Sequence, residues 1–571
     1  MHTVEIVLLV LLLGALTGIA ARYLRAIPLP LIQIGLGALL SWPQRGLHIA
    51  FDPELFLALF IPPLLFADGW RIPKREFYAL RVPILRLALG LVLFTVFGLG
   101  VLIHWMLPGM PLSVAFALAA VVSPTDAVAV TAITRNLGLP ARTLHLLQGE
   151  SLLNDASGLV ALKFAVAATL TGLFSWGDAA REFLWLALGG LGLGALLGWG
   201  FAAARDTVTR RVGDVAATQL ALLLVLLPFA AYLLAEQVGV SGILAVVAAG
   251  VTTNFADLRR SAYISERLQT EGTWTMVESA FNGAVFLLLG LQLPSIVGST
   301  LAAAGPAWWL PVVQALAISV GLLALRWLWL SLGVWGRRWR ARQRGDAAER
   351  PSPALTLVAT LAGIRGAVTL AGALSVPLLM SDGAAFPARA QLIFLATGTI
   401  LCTLIVGSIG LPLLLRRLPP SGEPVAAREE REARLAVCRA AIAYLAEAPR
   451  GVRASDAAWR AQRQEAAGRL TQDYRKRIDV LEDPAASPEA QAESPEAVQE
   501  RRRRYLVEME LRIEALHVER EALYAARHQH RINDESLRTL VEELDLAEVS
   551  LRKRLAVARR ALGLPVAETG D

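Results

Sequence analysis

Between residues 4 and 415 the chain passes through thirteen apolar runs, and this succession constrains the fold more than any other feature. The runs lie at about 4–21, 28–42, 52–68, 84–107, 112–134, 143–174, 183–204, 217–237, 240–256, 273–293, 308–335, 354–379 and 388–415. Crossing the hydrocarbon core as a helix takes about 20 apolar residues, and the runs 28–42 and 240–256 are short for that. With no water available to the backbone, a run of this length must satisfy its hydrogen bonds within itself, so it must be helical. The sequence therefore predicts an all-α polytopic membrane protein with thirteen transmembrane helices.

The charges predict its orientation and a boundary. Only 18% of residues are charged, against roughly 25% in a soluble chain. From Pro420 to Asp571 there are 26 basic and 28 acidic residues; the 419 before them hold 29 and 20. A transmembrane domain over 1–418 followed by a charged helical tail over 419–571 is expected, with the tail regulatory. Loops after odd-numbered runs carry twenty basic residues. They begin with Arg22 and Arg25, continue through Arg71, Lys74, Arg75, Arg81, Arg135, Arg259 and Arg260, and end in a cluster closing at Arg350. Loops after even-numbered runs carry three: Arg45, Arg181 and Arg389. Positive residues stay inside, so the N-terminus is expected outside and the tail in the cytoplasm. Topology thus accounts for the net charge of +7 without a nucleic-acid partner. Two cysteines exclude a disulfide framework and a Cys-based zinc site. No cleavable leader is expected in the first run.

Thirteen helices suit two inverted six-helix repeats joined by one helix. In that scheme the fifth and twelfth runs correspond, and both are interrupted: Ser123-Pro124-Thr125-Asp126 in one, Gly363-Ile364-Arg365-Gly366 in the other. Polar breaks at matching places in two halves point to a transport site, because the freed backbone groups can line a cavity or an ion.

Ionisable residues inside apolar runs are costly and therefore functional candidates. They are Asp126, Glu150, Asp155, Lys163, Glu236, Glu278, Arg326 and Arg365. Asp155 leads, with Ser151 on the same helical face at i,i+4 and Glu150 and Asn154 one position round. A carboxylate, a hydroxyl and an amide oxygen are the hard ligands for which an alkali cation exchanges water, and a proton can compete for the same carboxylate. Thr125 and Asp126 follow: the carbonyl of Thr125 is a candidate ligand, and Asp126 either anchors the unwound crossing or repairs a proline kink. Arg365 needs a carboxylate, Glu150 or Glu278, and a structural role is expected for it. Lys163 is expected to snorkel outward, Glu236 and Arg326 to be interfacial or paired, His104 to be interfacial, and Asp68 to line a cytoplasmic vestibule.

Together, Ser123-Pro124-Thr125-Asp126-Ala127-Val128, Gly149-Glu150-Ser151-Leu152-Leu153-Asn154-Asp155 and Gly363-Ile364-Arg365-Gly366-Ala367-Val368 resemble the cation:proton antiporters of the sodium/proton exchanger branch. The resemblance covers about residues 1–418. It implies a homodimer whose six-helix core moves as an elevator. It implies Na⁺ (or Li⁺) and H⁺ competing at Asp155, with Ser151 and Thr125 completing the Na⁺ site and Asn154 supporting it. It further implies an ion pair between Glu150 and Arg365, an acidic position at Glu278, and electroneutral exchange, because Asn-Asp carries one carboxylate. No cofactor is implied beyond the transported ions, and K⁺ is the alternative cargo; a channel or sensor would be the reading from another class. Many members place an acidic residue directly after the Pro-Pro-aliphatic run, where this chain has Ala67 and then Asp68.

The tail holds no glycine-rich nucleotide fingerprint and no P-loop. Helices are expected at about 428–447, 454–482, 497–530 and 534–562, interrupted near Pro484 and Pro488. Leu537, Leu540, Val541, Leu544, Leu551 and Leu555 form an apolar stripe suited to a hairpin or dimer contact. Arg531-Ile532-Asn533-Asp534-Glu535 before it looks like bacterial members. The run Arg501–Arg504 is a candidate for anionic lipid, and otherwise a solvated face.

Overall fold

In a computed structural model of the protein, every apolar run is helical. The structure describes residues 2–21, 23, 27–41, 53–134, 137, 139–171, 176–212, 217–256, 264–344, 353–380, 383–417, 425–447, 457–481, 495–529 and 534–564. Arg22, Arg25, Arg45, Arg135, Arg259, Arg260, Arg350, Pro484, Pro488 and Arg531–Asn533 lie outside the described residues. The chain divides into two units, Met1–Ser421 and Gly422–Asp571.

The first unit opens with α1 (His2–Ala20), α2 (Leu29–Ser41) and α3 (Pro53–Arg71). The basic stretch after α3, expected as a loop, is instead α4 (Lys74–Leu85), and a π-helical turn (Arg86–Leu91) carries it into α5 (Val92–Met106). Glu76 in its first turn and the buried Leu80 and Ile84 explain the helix. The π turn follows Pro83, which cannot donate to the preceding turn. The fifth run is two pieces, α6 (Leu112–Val122) and α7 (Ala127–Thr134), and the twelfth likewise α14 (Pro353–Leu361) and α15 (Ala367–Leu374). Between and after them come α8 (Ala141–Thr171), α9 (Trp176–Val212), α10 (Ala217–Val238), α11 (Gly242–Ala256), α12 (Ile264–Ala304), α13 (Trp309–Arg344) and α16 (Arg389–Leu415). Among the described residues no strand forms beyond one isolated bridge, Leu379 with Ala385.

Small buried residues such as Ala117, Ala119 and Ala120 lie inside the bundle, while Trp105, Trp185, Trp199, Trp309 and Trp335 are exposed on its outside. A surface covered in exposed tryptophan and leucine suits lipid rather than water. The unit is a multi-pass membrane domain.

With lipid outside, packing between helices depends on close backbone approach. On α9, Gly190, Gly194 and Gly198 recur every fourth residue, and a Cβ at each would run into the carbonyl oxygen of Ser241, just before α11, or of Ala245 or Ala249 on it. Gly200 faces open space. Gly194→Leu is therefore expected to lower the thermal stability of the purified protein by the ~1–3 kcal/mol of an overpacked contact or more, with Gly200→Leu close to the parent.

The second unit holds α17 (Val425–Glu447), α18 (Ala457–Leu481), α19 (Pro495–His528) and α20 (Asp534–Ala561), within a few residues of expectation. Its small core is Val480, Tyr505, Leu506, Met509 and Ala558, packed by Leu551 and Leu555 of the stripe. Leu540 is exposed, and the side chain of Leu537 lies outside the described residues. α19 and α20 are joined by charge: Arg520 donates to Asp545 and Glu548 at 2.6 Å each, and Arg559 donates to Glu510 at 2.9 Å. The Arg520 guanidinium holds the Glu548 carboxyl below its usual range.

Candidate cation site

Pro124 lacks the N–H that would continue α6, so the helix stops and residues 123–126 run unwound into α7. Gly363 and Gly366 bracket the second break. The two breaks meet. The Asp126 N–H donates to the Ile364 carbonyl at 2.8 Å, and Arg365 Nε donates to the Val122 carbonyl at 2.6 Å. A further guanidinium N–H of Arg365 donates to the Gly363 carbonyl. Backbone groups orphaned by unwinding in one half are thus satisfied by the other.

Asp126 sits where two helices begin. Its Oδ1 accepts from the N–H groups of Val128 at 2.8 Å and Ala129 at 3.1 Å, capping α7. Its Oδ2 lies against Gly366, the residue before α15, so closely that a Cβ there would collide with it. One carboxylate therefore faces the positive ends of both half-helices. The anchoring reading of Asp126 and the proline-kink reading describe the same geometry.

α8 supplies the facing residues, all buried. Ser151 Oγ accepts from the Ala127 N–H at 3.2 Å. Asn154 Nδ2 donates to Thr125 Oγ1 at 2.8 Å, while its Oδ1 is buried without a partner among the described residues. Thr125 Oγ1 lies 3.5 Å from Glu150 Oε1. Asp155 differs from its neighbours: it is 7% exposed, and among the described residues nothing donates a hydrogen bond to its carboxylate. It faces a cavity of about 40 Å³ lined also by Asp68, Thr125, Asp126, Ser151 and Asn282. One water needs roughly 10–15 Å³ by this measure, so there is room for a cation that keeps a water or two. The lining is carboxylate, hydroxyl and amide oxygen, suited to a hard cation. Among the described residues no three His, Cys, Asp or Glu side chains converge as for a transition metal.

The structure corrects one expected pair. Glu150 binds Arg326, not Arg365, through both carboxylate oxygens, with one contact at 2.8 Å, and the two residues are 1% and 2% exposed. Arg326 Nε also donates to the Ala359 carbonyl at 3.0 Å. The reason is the unwinding itself: Arg365 is taken up by the carbonyls of Val122 and Gly363, which leaves Glu150 to the arginine presented by α13. Glu278 pairs with Arg71 and does not line the cavity; Asn282, one turn further along α12, does. Asn282 was not singled out from sequence, although a polar residue one turn from Glu278 within an apolar run was the available signal. Lys163 lies 3.6 Å from Glu236, and His104 contacts the Met110 carbonyl at 3.0 Å near the end of α5.

Known proteins resemble this chain in sequence and in fold. The family described as sodium/hydrogen exchanger, transmembrane, matches residues 7–417. An uncharacterised Na⁺/H⁺ exchanger of Escherichia coli K12, YjcE, is 44% identical over 556 residues, 95% of this chain and 98% of that protein. A sodium, potassium, lithium and rubidium/H⁺ antiporter of Bacillus pumilus is 47% identical over 411 residues, 72% of this chain and 60% of that protein. The solved sodium proton antiporter MjNhaP1 of Methanocaldococcus jannaschii shares the fold with a TM-score of 0.56 at 20% identity, over 74% of this chain and 99% of that one. With two unwound helices crossing beside the buried Asp155 carboxylate and a family match over nearly the whole membrane unit, the chain belongs to the sodium/hydrogen exchanger family of monovalent cation/proton antiporters.

Proposed function

We propose that this chain exchanges Na⁺ or Li⁺ for a proton at Asp155, one for one, by elevator-type alternating access. One observation carries the reading: Asp155 is the deeply buried carboxylate of the cavity that no group among the described residues satisfies. Glu150 is neutralised by Arg326 and Asp126 is engaged by backbone amides. A charge left bare at that depth demands a counter-ion, and either a cation or a proton supplies it. The cation gains Ser151, and the Thr125 region, as further oxygens. The same reading takes the protein as a homodimer of thirteen-helix inverted-repeat subunits in the bacterial inner membrane. Its N-terminus would lie outside and its regulatory tail in the cytoplasm, with Arg501–Arg504 near anionic lipid.

A wider cation range, including K⁺, is the second reading, favoured by the name of the Bacillus pumilus relative. Purified protein in liposomes with an internal pH dye, given gradients of Na⁺, Li⁺ and K⁺ in turn, tests both. Proton movement with Na⁺ or Li⁺, at a rate unchanged when the membrane potential is clamped, is the expected result. Rates that follow the potential would sink the one-for-one stoichiometry, and no response to any of the three would sink the antiport.

A further inference from the structure

The second unit contains a cavity of its own, of about 450 Å³, to which all four helices α17–α20 contribute. Val480 and Val557 give it an apolar floor, Cys438 is buried in its wall, and Arg434, which is engaged by other groups, Arg477, Arg554 and Tyr505 supply the polar side chains.

The arginines are the anomaly. Elsewhere in this unit guanidinium groups meet carboxylates: Arg520 with Asp545 and Glu548, Arg559 with Glu510, Arg504 with Glu500. Arg477 and Arg554 have no carboxylate partner among the described residues, although this stretch carries more acidic than basic residues. Arg477 instead lies over the ring of Tyr474, 4.8 Å from its centroid. The nearby Glu508 is held by Lys476 at 3.1 Å and Arg512 at 2.7 Å. Burial and the facing charge of Arg477 hold Arg554 below the usual guanidinium range. Two like charges turned toward a half-enclosed space repel, and the repulsion is relieved when an anion enters between them. Arginine forks match phosphate oxygens two at a time.

The size and floor of the cavity narrow the class of anion. Pockets of roughly 300–1,000 Å³ take whole small molecules, and inorganic phosphate would leave Val480 and Val557 uncovered. We infer that the second unit binds a phosphate-bearing organic molecule in this cavity, its phosphate between Arg477 and Arg554 and its apolar or aromatic body on Val480 and Val557. A soluble nucleotide and the headgroup region of an anionic lipid share this chemistry.

The test uses the full-length protein in an uncharged detergent, in a Cys402→Ala background, so that alkylation reports on Cys438 alone. AMP, ATP, dihexanoyl phosphatidic acid and inorganic phosphate are added separately. At least one organic phosphate is expected to slow alkylation and bind once per chain, at least tenfold tighter than inorganic phosphate. Arg477→Gln and Arg554→Gln are each expected to weaken it by roughly tenfold, the loss of one charge-assisted contact. Val557→Trp, which fills the floor with the charges intact, is expected to abolish it. Tighter binding of the nucleotides would identify a soluble ligand, and tighter binding of the short lipid a headgroup; either supports the site. Because each Gln variant removes a repulsion, its thermal stability without ligand is expected to equal or exceed that of the parent. Three results would overturn the inference: no probe protecting Cys438, protection unchanged in the Gln variants, or a large loss of stability on Arg554→Gln, which would make that arginine structural.

Discussion

Asp155→Asn is expected to reduce cation/proton exchange in liposomes to the level of empty vesicles while leaving the protein folded. The amide keeps the size of the carboxylate but neither takes up a proton nor balances a cation, so both halves of the exchange are lost together. Stability distinguishes this from damage. The parent carries a buried carboxylate with no donor among the described residues, and removing such a charge relieves a desolvation cost. The melting temperature of Asp155→Asn is therefore expected to match or exceed that of the parent. Asp68→Asn lines the same cavity but is half-buried, and it is expected to retain exchange with weakened apparent cation affinity. Full exchange by Asp155→Asn would refute the mechanism.

The second large effect concerns stability. Glu150→Gln leaves the Arg326 guanidinium buried without its counter-charge, and breaking such a pair costs about 3–5 kcal/mol. A fall in melting temperature of the purified protein is the expected readout. Replacing both partners, with Glu150→Gln and Arg326→Met, is expected to cost less than the sum of the single changes, with a coupling of roughly 0.5–3 kcal/mol. The corresponding cycle between Glu150 and Arg365 is expected to show weaker coupling, since Arg365 donates to carbonyls instead. Stronger coupling to Arg365 than to Arg326 would show that the pair has been assigned to the wrong arginine.

What was legible in the sequence follows from which forces act locally. A run such as 388–415 is helical because the bilayer leaves it no alternative, and the breaks at Pro124 and Gly363 could be read because proline and glycine interrupt helices wherever they stand. The shared face of Ser151 and Asp155 follows from helical periodicity alone. Pairing across helices is different. Glu150 had several cations to choose from, and Arg326 prevails because α13 presents its fork to both carboxylate oxygens while Arg365 is drawn to backbone groups freed nearby. Neither rotation nor backbone demand can be read from charge type. The loop expected after Arg71 became α4 for a related reason: its basic residues signalled topology, while Leu80 and Ile84, buried in the bundle, decided its structure.

The crossing of the two broken helices has a consequence for how the protein is made. The unwound backbone at 123–126 is completed by partners near residue 364, which reach the ribosome exit about 240 residues later. At 5–20 residues per second that is a delay of roughly ten to fifty seconds. Throughout it, Asp126 and the Val122 carbonyl must remain among other helices or at the translocation machinery rather than in lipid. Chains arrested before α14 are where this waiting state would be visible, as protease sensitivity in a segment that the finished protein protects.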